Sequence, residues 1–184
     1  SLLRRGCRPS ARLRPTQHLN TQAVTRRCAV VGAGIVGAGV ADALAQRGWS
    51  VTVFEQEPHA ANATSGLPVA LAAPQPSADD APRSRLVRLG LERLHQHARC
   101  HLVEGQDWAP SGVLERRAQG ADRWHATGMW IRPARLANAW LAQSGITLVT
   151  HACITQLRHA ATHWDLFAAD ARAWRGFDAV VLAN

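Results

Sequence analysis

The 184-residue sequence predicts an α/β domain with a parallel sheet, and three observations support that prediction. The short apolar run 28–31 is followed at once by glycines, as in a fully buried parallel strand. Residues 35–47 have the pattern of a helix that stops at Gly48, the residue type preferred just past a helix C-terminus. Residues 50–55 are a second, β-branched strand, which completes a βαβ unit of the usual right-handed kind.

The rest of the chain predicts further helices and strands. We expect a loop over 58–82, a long helix over 84–102 with apolar residues at helical spacing, and a helix over 133–143 that begins with proline. Short strands are expected at 112–116, 128–131, 146–150, 153–158, 164–168 and 179–182. The last of these is a buried parallel strand with nothing after it, so we expect a C-terminally truncated domain.

The net charge of +8 belongs mostly to the N-terminal residues. All basic residues are arginine, and seven of them precede Cys28, whereas the remainder is nearly balanced. We therefore predict a basic irregular extension or linker over 1–26 and one domain over 27–184. The extension also resembles an Arg-rich, acid-poor transit peptide, but a linker or phosphate-binding arm is favoured. No apolar run reaches the ~20 residues that would predict a membrane span.

Metal and disulfide sites are not expected from the cysteine and histidine pattern. Cys7, Cys28, Cys100 and Cys153 form no CxxC pair, which fits a reducing, cytoplasmic setting. The cluster His95, His97, Cys100 and His101 has metal-like spacing, yet the polar face of a helix explains it better. Four tryptophans could stack on bases but are predicted to pack in the core or a domain interface: Trp124, Trp130, Trp140 and Trp164.

The sharpest motif is the glycine-rich turn between the first strand and the first helix. It comprises the six consecutive residues Gly32, Ala33, Gly34, Ile35, Val36 and Gly37. The first glycine allows a tight turn, the second lets backbone approach a pyrophosphate, and the third lets the helix pack on the strand. The helix N-terminus then offers N–H groups to phosphates. This context predicts a Rossmann-like dinucleotide site for FAD or NAD(P).

An acidic residue completes the dinucleotide fingerprint. Glu55 ends the second strand, 21 residues after Gly34, where a carboxylate can accept hydrogen bonds from both adenosine ribose hydroxyls. The same charge would repel a 2′-phosphate, so NADP is disfavoured. We place Gln56 beside it in the candidate site.

The segment after the second strand decides between the cofactors. Residues 63–74, with Ser65 and Gly66, resemble the Ser-Gly loop of the D-amino-acid-oxidase superfamily. The resemblance implies FAD as cofactor, with Ser65 and Gly66 lying along its diphosphate and ribityl chain. It also implies a β-meander and part of a second, α+β substrate domain, to which about 104–132 would contribute.

Later segments resemble more narrowly the FAD domains of bifunctional tRNA-modifying enzymes. They are 65–74, 84–86, 112–115, 130–133 and 180–184. This resemblance implies oxidation of a C–N bond in 5-carboxymethylaminomethyl-2-thiouridine of tRNA, giving 5-aminomethyl-2-thiouridine, with tRNA as a partner and a fused or partner methyltransferase.

Two other functions remain open at this point. One is an FAD oxidase or dehydrogenase of free amino acids such as glycine or D-amino acids; the other is a non-catalytic FAD-binding module. No catalytic side chain is assigned, because the flavin performs the chemistry in this family. Arg132 is a candidate clamp for a substrate carboxylate by position only. We expect the 184 residues alone to bind FAD weakly and to turn nothing over.

Overall fold

A computed structural model describes residues 25–184. It contains three α-helices: α1 (Ile35–Ala45), α2 (Pro82–His101) and α3 (Pro133–Leu141). Its strands are β1 (Arg27–Val31), β2 (Ser50–Phe54), β3 (Ala70–Ala72), β4 (Trp108–Ala109), β5 (Val113–Glu115), β6 (Arg123–His125), β7 (Met129–Ile131), β8 (Ile146–Val149), β9 (Ile154–Ala160), β10 (His163–Ala168), β11 (Ala173–Phe177) and β12 (Ala179–Leu182).

The centre of the fold is the predicted parallel sheet, with strand order β12-β1-β2-β8. All three neighbouring pairs are parallel. β1 lies in the middle and is hydrogen-bonded on both edges, which explains its uninterrupted apolar run. The predicted α/β class is therefore confirmed.

Alternate residues of the sheet face two different layers. Val30 and Val53 pack in the cluster that contains helices α1 and α3, and both side chains are fully buried. Ala29 and Phe54 point to the opposite face and pack against the strands of a meander. Because side chains alternate along a strand, one short apolar sequence supplies both cores.

The meander is the antiparallel sheet β11-β10-β9. The ring of Phe54 packs edge-on against Trp174 and Phe177, with centroids 4.8 and 6.1 Å away. The predicted strands at 153–158 and 164–168 are confirmed as β9 and β10. β11 was not predicted, because Arg175 and Gly176 interrupt its apolar pattern.

Two small antiparallel sheets complete the described structure, namely β3-β7-β4 and the hairpin β5-β6. The prediction of an unbroken loop over 58–82 is wrong at β3, a three-residue strand of small residues that pairs with β7. β4 and β6 were also missed, because β4 has only two residues and β6 has a single apolar residue between Arg123 and His125. The short strands β5 and β7, in which apolar residues are adjacent, were predicted at 112–116 and 128–131. Residues 104–132 form β4 to β7, and their membership of a second domain stays a prediction.

Among residues 25–184, the cysteines Cys28, Cys100 and Cys153 are not joined to one another by a disulfide. Burial raises the pKa of the Cys28 thiol to about 11, so this residue acts as a small apolar side chain in β1, as predicted. Within residues 25–184, no helix combines the length and the apolar character that crossing a membrane requires. Residues 1–24 of the predicted extension over 1–26 lie outside the described residues, so the extension stays a prediction.

Candidate functional site

The glycine-rich turn between β1 and α1 has no room for side chains at two positions. Gly32 has a φ of +104°, and a Cβ there would lie 2.7 Å from the carbonyl oxygen of Ala183. A Cβ on Gly37 would lie 2.0 Å from the carbonyl oxygen of Gly32. These clashes would be with backbone, so the turn and the helix can meet this closely only through glycine.

The N-terminus of α1 opens directly from this turn. The N–H of Ile35 donates to Oγ of Ser65 at 2.9 Å. A Cβ on Gly34 would come within 3.1 Å of the same oxygen, so glycine lets the loop approach the helix. The first turn of α1 contains no acidic residue, so its free N–H groups and the positive end of the helix dipole are available to an anion.

Glu55 follows β2 and is held by backbone N–H groups on both carboxylate oxygens. Its Oε2 accepts from Ala33 at 2.9 Å, and its Oε1 accepts from Glu57 at 3.1 Å. The carboxylate is thus fixed at the carboxyl ends of β1 and β2, where α/β sheets bind ligands.

These parts surround one cavity of about 330 Å³. Five predicted site residues line it: Gly32, Gly34, Glu55, Gln56 and Ser65. The other five predicted residues do not line it, namely Ala33, Ile35, Val36, Gly37 and Gly66. Ala33 is fully buried, and a Cβ on Gly66 would lie 2.6 Å from the carbonyl oxygen of Ala61. Val36 points to solvent, with 63% of its surface exposed.

The cavity also has walls that the sequence did not reveal. Further lining residues are Val31, Phe54, Ala63, Thr64, Ala152, Ile154, Ala183 and Asn184. Ala183 and Asn184 follow β12, which pairs with β1 and so brings its carboxyl end beside the glycine turn. The rule that ligands bind at the carboxyl ends of strands could have indicated these two residues.

Other sequence candidates lie elsewhere. Arg132 is exposed at the start of α3 and lines none of the cavities described here. Nδ1 of His97 accepts the indole N–H of Trp140 at 3.0 Å, and His97 stacks on His101 with ring centroids 5.8 Å apart. In the described part of the chain, no three His, Cys, Asp or Glu side chains are grouped so that they could hold a metal.

The tryptophan predictions have mixed outcomes. Trp140 is buried in the main core, as expected, and Trp130 and Trp164 are half-buried. Trp124 is 60% exposed on the outer face of the β5-β6 hairpin, so it does not pack in the core, and the alternative of a domain interface stays a prediction.

Comparison with known proteins identifies the class. Residues 27–126, more than half of the chain, match the family of FAD dependent oxidoreductases called DAO. The chain belongs to this family.

Curated relatives narrow the resemblance. The chain is 46% identical over 161 residues to the tRNA 5-methylaminomethyl-2-thiouridine biosynthesis bifunctional protein MnmC of Albidiferax ferrireducens, covering 85% of this chain and 26% of that protein. It is 33% identical over 196 residues to the protein of the same name from Polaromonas naphthalenivorans, covering 85% of this chain and 31% of the relative. The chain thus spans about a quarter to a third of the length of these relatives.

Solved structures share the fold. Glycine oxidase from Geobacillus kaustophilus superposes with a TM-score of 0.68 at 16% identity, covering 87% of this chain and 56% of the oxidase. L-amino acid deaminase from Proteus vulgaris gives a TM-score of 0.69 at 16% identity, covering 94% of this chain and 50% of the deaminase. At these identities the likeness concerns architecture alone.

Proposed function

We propose that this chain holds FAD in the cavity beside the glycine turn. In this arrangement the N-terminus of α1 faces the diphosphate, with the Ser65 hydroxyl on its other side. The Glu55 carboxylate, anchored by the Ala33 N–H, accepts the adenosine ribose hydroxyls. Gln56 completes the wall, and Gly66 lets the loop of Ser65 pack closely against Ala61. The residues fit this ligand because Gly34 lines the cavity without a side chain, beside the N-terminus of α1, where a phosphate needs close approach.

We further propose that the reaction is oxidation of a CH–NH group on a modified uridine of tRNA. The family membership and the MnmC relatives support this proposal. When bound, FAD supplies the acceptor for a hydride from the carbon beside the substrate's secondary amine. Hydrolysis of the resulting imine breaks the C–N bond, releases the carboxymethyl carbons as glyoxylate and would convert 5-carboxymethylaminomethyl-2-thiouridine to 5-aminomethyl-2-thiouridine. The chain's own residues bind the cofactor and orient the substrate.

The partners follow from the same proposal. tRNA would be the substrate and would place the protein in the cytoplasm. The relatives are named as bifunctional proteins, which supports a second activity on the same or a separate chain, and we propose a methyltransferase for it. The observation that carries the proposal is the 46% identity to one such protein across most of this chain.

Reduction of the flavin by defined substrates tests the reaction. The protein is mixed with FAD under anaerobic conditions, and loss of oxidised-flavin absorbance is followed with tRNA bearing 5-carboxymethylaminomethyl-2-thiouridine. Matched arms contain unmodified tRNA, glycine and D-alanine. Reduction by the modified tRNA alone supports the proposal, and reduction by the free amino acids alone favours the amino-acid oxidase. If none of the substrates reduces flavin that is demonstrably bound, the chain alone is a binding module, as the sequence led us to expect.

A further inference from the structure

The β5-β6 hairpin has two faces of different composition. The residues at the ends of its two strands line a cavity of about 700 Å³ that also borders α2, namely Val113, Glu115, Arg123 and His125. The middle pair, Leu114 and Trp124, lies on the opposite face because side chains alternate along a strand. Their exposed fractions are 50% and 60%. We call this apolar pair the outer face of the hairpin.

The ring of Trp124 is held in place by a glycine. A Cβ on Gly112 would lie within 2.9 Å of three atoms of this ring, so the indole packs directly on the backbone of Gly112. Gly112 has a φ of +68°, and its N–H donates to the carbonyl oxygen of Gly128 at 2.9 Å. Glycine therefore supplies both the backbone conformation and the room for the ring. The indole has backbone on one side and solvent on another.

Hydrogen bonds fix the hairpin that carries this ring. Nε2 of His125 lies 2.8 Å from Oε2 of Glu115 on the facing strand. In the connection between the strands, Oδ1 of Asp122 accepts the backbone N–H of Arg117 at 3.2 Å. A ring that is positioned before a ligand arrives loses little conformational freedom when the ligand binds.

The surroundings of the hairpin carry an excess of positive charge. Helix α2, which forms the other wall of the cavity behind the hairpin, has five arginines and one glutamate. Within residues 25–184, the side chains of Arg116 and Arg123 make no hydrogen bond or ion pair with a protein group. Unpaired guanidinium groups beside an exposed aromatic ring favour a partner that combines negative charge with flat rings.

The size of the outer face decides between kinds of partner. An aromatic side chain offers at most about 250 Å² of surface, whereas a stable protein interface buries roughly 800 Å² on each partner. Leu114 and Trp124 are thus too small a patch for a protein. One nucleobase, in contrast, is covered by stacking on one aromatic ring, and only an unpaired base has a free face to offer.

We propose that the outer face of the hairpin binds single-stranded RNA, with one unpaired base stacked on the indole of Trp124. Leu114 contacts the edge of this base, and Arg116, which directly follows β5, binds the adjoining phosphate. The choice of RNA rests on the proposed function, because tRNA is the substrate there. The contact is additional to the FAD site, since no hairpin residue lines the cavity at the glycine turn.

Fluorescence anisotropy of a labelled oligouridine tests this contact on the whole chain without FAD. The matched probes are an abasic strand and an RNA duplex of the same length, and the oligouridine should bind more tightly than either. We expect Trp124→Ala to weaken oligouridine binding by about fivefold to a hundredfold, the usual range for loss of one stacked base. Trp124→Phe keeps a ring and should retain most of the affinity.

Two control variants separate stacking and local charge from general effects. Leu182→Ala removes a side chain that is 63% exposed in β12 and should leave the affinity unchanged. Arg116→Gln should lower the slope of log affinity against log salt by about one, as expected for one lost phosphate contact. Arg47→Gln, an equal charge change after the end of α1, should keep the wild-type slope. Circular dichroism checks that each variant is folded.

The outcomes also separate this proposal from the proposed function. No binding of oligouridine, equal binding of the abasic strand, or equal affinities of wild type and Trp124→Ala overturns the RNA contact even if FAD binds. Self-association in sedimentation that Trp124→Ala abolishes would show that the ring is a protein contact and also overturns it. Trp124-dependent RNA binding without any affinity for FAD supports the contact and defeats the proposed function.

Discussion

The cavity at the glycine turn and the larger cavity between helix α2, the segment 71–76 and the β5-β6 hairpin are built in opposite ways. The first is defined by backbone: its positions are fixed by clashes that a Cβ would make and by N–H groups that hold Ser65 and Glu55. The second is defined by side chains from the hairpin, from α2 and from the segment after β3. A site that is built from backbone requires particular residue types at fixed spacing in the sequence. A site that is built from side chains requires only that those side chains meet in the folded structure, whatever their spacing in the sequence.

That difference explains what the sequence could predict about the sites. The glycine spacing and Glu55 belong to one βαβ unit, so a motif contains most of the first site. Glu115 and Arg123 meet only because β5 and β6 pair, and the strand predicted over 112–116 does not by itself reveal its partner. Arg132, a candidate carboxylate clamp by position only for which a surface or structural role is favoured, is exposed at the start of α3 and lines neither cavity.

The largest expected effect on stability comes from adding a side chain within the glycine-rich turn. Gly37→Ala places a Cβ 2.0 Å from the carbonyl oxygen of Gly32, so the turn or the helix must move. We expect a loss of about 3 kcal/mol or more in the free energy of unfolding, measured by urea denaturation, since overpacking against backbone has few ways to relax.

A second glycine supplies the matched control. Gly90 lies in α2, and a Cβ there would meet nothing within 4 Å. Gly90→Ala should therefore stabilise the protein by up to about 1 kcal/mol through helix propensity. Equal effects of the two substitutions would show that the glycine turn is not tightly packed.

A smaller effect is expected at the loop that meets the helix. Ser65→Ala removes the acceptor of the Ile35 N–H, which is a capping interaction supplied from another part of the chain. The expected loss is about 1 kcal/mol in the absence of flavin, read from thermal unfolding. The exposed Ser144, changed to alanine in the same way, should leave the melting temperature almost unaltered.

The smallest effect concerns pH and the contact between α2 and α3. Burial, then repulsion from His101 and Arg93, lowers the pKa of His97 despite attraction to Asp42. The neutral ring accepts the Trp140 N–H, and a protonated ring has no free acceptor nitrogen. Because the folded pKa is depressed, the unfolded chain takes up this proton first as the pH falls. The stability that His97 contributes is therefore complete above its ordinary pKa of 6.5 and declines below it.

Substitution of His97 tests the direction of this pH dependence of stability. His97→Gln cannot take up a proton, so its free energy of unfolding should fall less than that of the wild type between about pH 7.5 and pH 5.5. The exposed His59, replaced by glutamine, serves as control and should keep the wild-type slope. A slope unchanged by His97→Gln would contradict the assignment.

The secondary structure was likewise predictable where sequence patterns extend over many residues and was missed in several of the shortest strands. β1, α1 and β2 were predictable because apolar runs, helical spacing and Gly48 agree with one another over many residues. The strands β3, β4 and β6 have two or three residues each, so their existence depends on partners that are distant in the chain. The resemblance to tRNA-modifying enzymes predicted a more specific function than the hydrophobic periodicity could, because a resemblance compares the residues of whole segments.

Titration of FAD fluorescence with protein tests the central claim most directly. Wild type is compared with Glu55→Gln, which removes the charge that the Ala33 N–H anchors, and with Glu92→Gln, an equal charge change on the exposed face of α2. We predict saturable binding by wild type and Glu92→Gln, binding weaker by about tenfold or more in Glu55→Gln, and no displacement by NAD. Absence of FAD binding, or equal affinity in all three proteins, would contradict the assignment of this cavity to FAD.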